Sequence, residues 1–334
     1  MIKIGIIGGG LIASRHIEAF NKDCRCSVDI MLAQGSDLSR HTAALYGLEY
    51  TTDKERFFAH ALDAIIICSP NATHWEYLDI GLSKNLYVLV EKPLFSHYDE
   101  HNRFHQTDIK LLDSKVLVAH HRHHLSKYKK LKKIINNGDL GEVIAFHGFA
   151  TWHKPSYYFT DAPWRTEQHQ GGPLRINAIH DLLLIMDLFG ELQTVQFIKS
   201  NKVRKLKVED SVAISFNTKS GVIGTYLLSD CVAAPWSWEF TVHENKSYPR
   251  HNGDCYFIAG SKGSIQFPSL TKYFYDEDPD WWSPINNENI QVIETDPFEE
   301  QANNFLAMIC DGSDPLVSYS MALAVLKILK DQIL

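Results

Sequence analysis

The chain has 334 residues, 45% of them apolar and 22% charged, and 33 basic against 40 acidic side chains give a formal charge of −7. That length suits about two domains and the apolar share suits a buried core, which rules out a disordered or collagen-like chain. The acidic balance argues against a general binder of nucleic-acid backbones, which needs a positive footprint, and directs attention to small-molecule ligands.

The N-terminal run Met1 to Gly8 lacks the longer apolar stretch and cleavage site of an export signal. No segment reaches the roughly 18 consecutive apolar residues of a membrane-spanning helix, so the expected setting is the cytosol. Six cysteines (Cys24, Cys26, Cys68, Cys231, Cys255 and Cys310) are scattered, with one close Cys-x-Cys pair and no CxxC, and are expected as thiols.

Ile2 to Ile7 is mostly β-branched and uncharged, as in a strand buried on both faces of a parallel sheet. It runs into Gly8-Gly9-Gly10-Leu11-Ile12-Ala13 and then a helical stretch, Ser14 to Phe20, so a GxGxxA pattern lies between strand and helix. Gly8 suits the tight turn, Gly10 lets backbone approach a pyrophosphate, and Ala13 allows close helix packing. The first helical amides, from Leu11 and Ile12, offer an anion their hydrogens and the positive end of the helix dipole.

Further strands are expected at Val28 to Ala33, Ala64 to Cys68, Tyr87 to Val90 and Val116 to Ala119, with room for crossover helices between them. In such a doubly wound α/β sheet, ligands bind beyond the carboxyl ends of the strands. That selects Gln34 to Ser36; Ser69 to His74, including Pro70 and Asn71; Glu91, Lys92 and Pro93; and His120 to Arg122. An NAD-specific second strand usually ends in Asp or Glu for the ribose hydroxyl, yet here it runs into Gln34-Gly35-Ser36. Ser36 and Arg40 suit a 2′-phosphate, so NADP is weakly favoured over NAD, although both residues also read as ordinary turn and helix-surface groups.

A cationic helix is expected over Lys127 to Asn136, stopping near Asn137-Gly138. Strands follow at Val143 to Thr151, Val195 to Lys199, Val212 to Phe216, Val222 to Leu228, Trp236 to Val242, Tyr256 to Ala259 and Ser264 to Phe267. Alternation is plainest in Val212, Ile214 and Phe216, and in Trp236, Trp238, Phe240 and Val242. A mostly antiparallel open sheet is expected, whose outer face suits an interface between copies of the chain in a homodimer or homotetramer and equally suits solvent or a covering helix. Asp276 to Asn289 reads as a surface loop, and two helices are expected near the end, around Phe298 to Ile309 and Ser320 to Ile333. The division expected is 1–122 for nucleotide binding and 123–334 for substrate binding and oligomerisation, with the final helix able to pack back on the first domain.

His120, His121, His123 and His124 form a histidine cluster, but consecutive pairs cannot all face one ion on regular structure, and no Cys or carboxylate spacing supports them. No metal is expected. Asn177, His180 and Asp181 fall at i, i+3 and i+4, so on a helix they share a face. Trp152, His153, Tyr157, Tyr158, Trp164 and Arg165 precede them; aromatic faces with polar edges suit sugar rings, and the same residues also read as core and rim aromatics.

In the glycine turn, in Asp63-Ala64-Ile65-Ile66-Ile67-Cys68-Ser69-Pro70-Asn71-Ala72-Thr73-His74, in Val90-Glu91-Lys92-Pro93-Leu94 and in Gly171-Gly172-Pro173-Leu174-Arg175-Ile176-Asn177-Ala178-Ile179-His180-Asp181, the sequence resembles the Gfo/Idh/MocA oxidoreductases over nearly its whole length. The resemblance implies a Rossmann domain followed by an α/β domain on a large open sheet. It implies a catalytic lysine at Lys92, a catalytic histidine at His180, and a sugar, nucleotide-sugar or cyclitol substrate. Many members carry aspartate four residues before the histidine, where this chain has Ile176; Asn177 is the nearest polar group and resembles a Pro-Asn-His variant. Asn orients a hydroxyl but takes no proton, which leaves base duty to His180 or Lys92.

The implied reaction is hydride exchange between a nicotinamide and a secondary alcohol or ketone, with Lys92 and His180 meeting one carbon and Asn177 holding the substrate. His120, Arg122, Tyr157, Trp164 and Arg165 are further candidate substrate contacts. Two other functions stay open: an NAD-dependent glycosidase without net redox change, and a dinucleotide-binding regulator without catalysis.

Overall fold

A computed structural model describes residues 1–104, 108–168 and 170–332. The chain divides into two units, one of Met1–Leu125 with Thr295–Lys330 and one of Ser126–Glu294 with Asp331 and Gln332.

The first unit opens as β1 (Ile2–Ile7), α1 (Leu11–Phe20), β2 (Cys26–Leu32), α2 (Asp37–Tyr46), β3 (Glu49–Thr51), α3 (Lys54–Phe58), β4 (Ala64–Ile67), α4 (His74–Ser83), β5 (Tyr87–Glu91), α5 (Ile109–Lys115) and β6 (Val116–Ala119). Its six strands pair in the order β3-β2-β1-β4-β5-β6 and every pair is parallel. The order reverses between β1 and β4, and the carboxyl ends on either side of that point are where a doubly wound fold binds its ligand. Helix starts follow local chemistry: Ser36 caps α2 by accepting from the Ser39 amide at 3.2 Å, and Asp53 caps α3 by accepting from Glu55 at 2.8 Å. Gly47, with φ of +69°, closes α2 in the left-handed region.

The second unit begins with α6 (Ser126–Asn136) and β7 (Val143–Thr151). It continues through α7 (Ser156–Thr160), a π-turn at Leu174–Ala178, α8 (Ile179–Phe189), β8 (Leu192–Ser200), β9 (Ser211–Thr218) and β10 (Ile223–Ser229). Then come α9 (Trp238–Thr241), β11 (Tyr256–Gly260), β12 (Gly263–Phe267), β13 (Thr271–Phe274) and β14 (Asn286–Asn289). Eight strands run β14-β13-β12-β11-β7-β10-β9-β8, antiparallel at every pair except β7 with β10. Alternation sorts the faces: Val212, Ile214 and Phe216 are buried, while Ala213 and Ser215 between them are exposed. Leu182 to Ile185 of α8 are buried as a continuous run, and Gly190 ends that helix.

The chain then returns to the first unit as α10 (Pro297–Asp311) and α11 (Tyr319–Leu329). Phe305, Leu306 and Met308 of α10 join Ile4, Ile17 and Phe20 in one buried cluster. Residues 295–330 thus belong with the parallel sheet: the sequence division allows this for the final helix, but places α10 in the second domain. Among the described residues no helix is long and apolar enough to cross a membrane.

Two local expectations need correction, and two short strands escaped the sequence pattern. Trp236 to Val242 is not a strand: Ser237 accepts from the Phe240 amide at 3.4 Å and starts the short α9, so its apolar alternation serves a turn. The loop expected over Asp276 to Asn289 contains β14, whose polar Asn-Asn-Glu-Asn sequence hides an edge strand. Glu49–Thr51 and Thr271–Phe274 are strands too short to show a period. Ile333, at the end of the expected final stripe, lies outside the described residues.

Candidate functional site

The glycine turn at the end of β1 is built by close packing on one side and open space on the other. Gly8 has φ of +99°, and a Cβ there would lie 2.5 Å from the Cys68 carbonyl oxygen. A Cβ on Gly9 would run into Ser39, whereas one on Gly10 meets nothing within 4 Å. Gly10 is the N-cap of α1 and no side chain among the described residues caps that helix, so its first amides stay available to an anion. Leu11 is 82% exposed beside them, Ile12 is half-buried, and Ala13 is fully buried in the core. Packed Gly8 and open Gly10 are the arrangement a dinucleotide pyrophosphate requires, and these residues fit that group.

At the end of β5, Glu91 accepts from His16 of α1, with Nε2 to Oε1 at 2.8 Å, and its Oε2 accepts from the Lys92 amide at 3.2 Å. Burial works to raise the Glu91 pKa, but the hydrogen bond and charge of His16 and the charges of Lys92 and His121 outweigh it and hold the carboxyl below its ordinary value. The strand end that carries Lys92 is thereby tied to the helix behind the glycine turn. The Lys92–Pro93 peptide bond is cis.

His74 ties two more loops. Its Nε2 lies 2.9 Å from the Ser69 carbonyl and its Nδ1 lies 3.0 Å from the Pro93 carbonyl. Burial pulls its pKa down against those two carbonyls, which favour the charged ring. Ser69 Oγ meets Thr73 Oγ1 at 2.7 Å, Asn71 begins a single turn of 3₁₀ helix, and Pro70 before it is exposed. His74 is therefore a buried clamp, and no face of it is presented to a ligand.

Beyond β2, Gly35 has φ of +89°, and a Cβ on it would lie 3.6 Å from Arg40 Nη2. Ser36 and Arg40 are exposed at the start of α2, so a cationic group and a helix N-terminus share that strand end. His120 and Arg122 are buried, at 1% and 4% exposure, and His121 stacks on Phe298 with centroids 5.0 Å apart. Burial first, then the neighbouring His123, Lys92, His121 and Arg122 charges, hold His120 well below an ordinary histidine pKa. Among the described residues no group of three or more His, Cys, Asp or Glu is placed to hold a metal.

In the second unit, Asn177 lies in the π-turn and His180 in the first turn of α8, so the three polar residues do not ride one regular helix. A π-turn inserts a residue into the helical register and often marks a functional position. His180 is 5% exposed. Asp181 accepts a hydrogen bond from the Tyr256 hydroxyl, which occupies it structurally. Asn177 Oδ1 accepts from Lys154 Nζ at 2.7 Å, and its Nδ2 faces Glu239 Oε1 at 3.5 Å. Of the aromatic candidates, Tyr157 and Trp164 are exposed. The Arg165 guanidinium lies 3.9 Å over the Tyr158 ring and donates to the Tyr158 carbonyl at 2.6 Å.

Lys154, Arg204, Asp230 and Glu239 were invisible to motif reading. They come from four separate segments, and only the pairing of β7 with β10 brings the end of one beside the end of the other. A lysine followed by proline after an aromatic strand end was the one available signal, at Trp152-His153-Lys154-Pro155.

Two family models match the chain: an "Oxidoreductase family, NAD-binding Rossmann fold" over residues 2–120 and a "GFO/IDH/MocA C-terminal domain" over residues 128–266. Oxidoreductase P35 of Formosa agariphila is 27% identical over 315 residues, 92% of this chain and 91% of that protein. Inositol 2-dehydrogenase of Klebsiella pneumoniae strain 342 is 27% identical over 228 residues, 66% of this chain and 65% of that protein. Among solved structures, the WlbA dehydrogenase of Bordetella pertussis, in complex with NADH and UDP-GlcNAcA, superposes with a TM-score of 0.78 at 18% identity, covering 98% of this chain and 94% of that one. At that identity the superposition shows a shared fold.

Proposed function

The chain belongs to the GFO/IDH/MocA family of oxidoreductases with an NAD-binding Rossmann fold, and from that premise we propose that it moves hydride between NAD or NADP and a secondary alcohol or ketone of a sugar, sugar derivative or cyclitol. The observation that carries this reading is the His16–Glu91 bond, which ties the strand end bearing Lys92 to the helix that follows the open Gly10 turn. The inositol and sugar-nucleotide chemistry named for its relatives supports the substrate class.

Gly8, Gly10 and the amides of Leu11 and Ile12 would hold the pyrophosphate, and Ser69, Pro70, Asn71, Glu91 and Pro93 border the same strand ends. Ser36 and Arg40 favour a ribose 2′-phosphate, which makes NADP the preferred form. The nicotinamide, when bound, supplies the hydride acceptor. A ring nitrogen of His180 takes the hydroxyl proton, and the Lys92 ammonium donates to the oxygen as negative charge grows on it. Asn177 holds the substrate beside that oxygen, with Tyr157, Trp164 and Arg165 as ring contacts.

Copies of the chain pair through the outer face of the eight-stranded sheet. Ile223 and Leu227 are exposed there, and a groove of about 830 Å³ lined by His147, Thr225, Phe257 and Tyr273 lies on the sheet. The cytosolic setting is part of the same proposal.

A panel of sugars and cyclitols with NAD⁺ and NADP⁺, read at the nicotinamide absorbance band, tests the activity. Cofactor reduction with at least one polyol, reduced about a hundredfold or more in Lys92→Ala, is the expected result. Release of sugar from a glycoside without added cofactor would replace this reading with the hydrolytic one.

A further inference from the structure

The carboxamide of Asn177 is set between opposite charges. Oδ1 takes the Lys154 ammonium at 2.7 Å while Nδ2 faces the Glu239 carboxylate at 3.5 Å. The two ends of an asparagine amide are nearly the same size, so shape alone does not choose between them. Charge does. Turned over, the amide would put N–H against ammonium and oxygen against carboxylate.

Lys154 is itself fixed. It is 7% exposed, with its ammonium 3.8 Å from Asp230 Oδ2, 5.2 Å from the centroid of Trp152 and 4.9 Å from that of Tyr158. Its amide donates to the Asp230 carbonyl at 2.9 Å and its carbonyl accepts from Arg204 Nη2 at 2.7 Å. Arg204 Nε in turn holds Asp230 Oδ1 at 2.7 Å. Burial raises the Asp230 pKa against the pull of Lys154 and Arg204, and two cations flank the one carboxylate.

We infer that Lys154 is a positioning residue: it holds Asn177 with its oxygen engaged and its amino group as the working end, so that Asn177 meets the substrate as a hydrogen-bond donor. This rests on the reading that Asn177 contacts substrate. An amide whose oxygen already accepts from a cation is polarised, which weakens it as an acceptor and strengthens its N–H as a donor. A donor in that place favours a substrate group that presents lone pairs, such as a carbonyl oxygen or the oxygen of a neighbouring hydroxyl. An aspartate there would present only acceptors. Proton removal stays with His180, and Asn177 supplies a fixed donor where an aspartate would supply acceptors.

The test uses the full chain and whichever polyol the panel turns over. Lys154→Met should lower kcat/KM about tenfold while leaving the Kd of the reduced cofactor within about twofold, and Lys154→Arg should restore most of the loss. In an Asn177→Ala background Lys154→Met should cost nothing further, because it acts through that amide. Multiplied losses in the double variant overturn the proposal.

Crystal structures at a resolution that separates amide nitrogen from oxygen give a readout independent of turnover. The Asn177 amide should lose its single orientation in Lys154→Met and keep it in Glu239→Gln, and the second variant stands if the first does not fold. An unmoved amide in Lys154→Met, or a turned one in Glu239→Gln, overturns the proposal. Absence of any polyol turnover would instead defeat the proposed function, leaving the crystallographic comparison to decide the role of Lys154.

Discussion

His16 and Glu91, 75 residues apart in sequence, meet at 2.8 Å, and that contact joins the helix of the glycine turn to the strand end that delivers Lys92. The pair is nearly buried, with His16 1% and Glu91 13% exposed at the side chain. The Glu91 pKa is held below its ordinary value, so the carboxylate contributes stability that is present above the unfolded glutamate pKa, about 4.3, and lost as pH falls through the lower folded one. Glu91→Gln should lower the midpoint of thermal unfolding at neutral pH and flatten its decline between about pH 5 and pH 3. Equal midpoints for the two proteins across that range would remove Glu91 from the stability of the first unit.

Gly8 and Gly10 should respond oppositely to the same added methyl. Gly10→Ala has open space and an ordinary backbone angle of −79°, so its unfolding midpoint should stay within a few degrees while the Kd for NADPH rises about tenfold or more. Gly8→Ala adds a left-handed strain and a collision with the Cys68 carbonyl, and should destabilise by about 1–3 kcal/mol or more. Calorimetry and nucleotide titration separate the two. A Gly10→Ala protein that binds NADPH as well as the parent would place the dinucleotide elsewhere.

Arg40 is expected to read the ribose phosphate. Arg40→Ala should weaken NADPH by about tenfold and leave NADH within about twofold, since a charge-assisted contact to phosphate is lost and nothing else changes. Equal losses for both cofactors, measured by fluorescence titration, would assign Arg40 to the helix surface alone.

Asp181 and His180 are neighbours with different work. The Tyr256 hydroxyl donates to Asp181, and both side chains are buried, so Tyr256→Phe leaves a buried carboxylate short of a donor and should cost about 1–3 kcal/mol in denaturant unfolding. Its kcat should stay within about threefold of the parent at temperatures where both are folded. A loss of turnover without a loss of stability would move Asp181 into the chemistry.

The nucleotide-binding half was legible because its signals are local. Gly8 and Gly10 sit between a β-branched strand and a helix, and each later strand ends in the polar residues that the parallel sheet gathers at one edge. The second half was legible as a sheet through the alternation of Val212, Ile214 and Phe216, yet the same alternation misled at Trp236 to Val242, where one serine cap outweighed it. The surroundings of Asn177 were barely legible, with the Lys154-Pro155 pair after a strand end as the one local signal. Lys154, Asp230 and Glu239 carry no motif, and their meeting depends on strand register and on the extra residue in the π-turn, neither of which leaves a period in sequence. His74 was read as a ligand contact from its place after a strand, and only its two buried carbonyl partners reveal a clamp.

The most direct measurement follows an isotope. A polyol from the panel, deuterated at the carbon that bears the reacting hydroxyl, is given to the protein with oxidised cofactor, and the reduced cofactor is weighed by mass spectrometry. Deuterium recovered in the nicotinamide of the reduced cofactor, with its rate of appearance lowered about a hundredfold or more in both Lys92→Ala and His180→Ala, is the expected result. Reduced cofactor without deuterium, or undiminished transfer in either variant, would contradict the claim that these two side chains serve one hydride step.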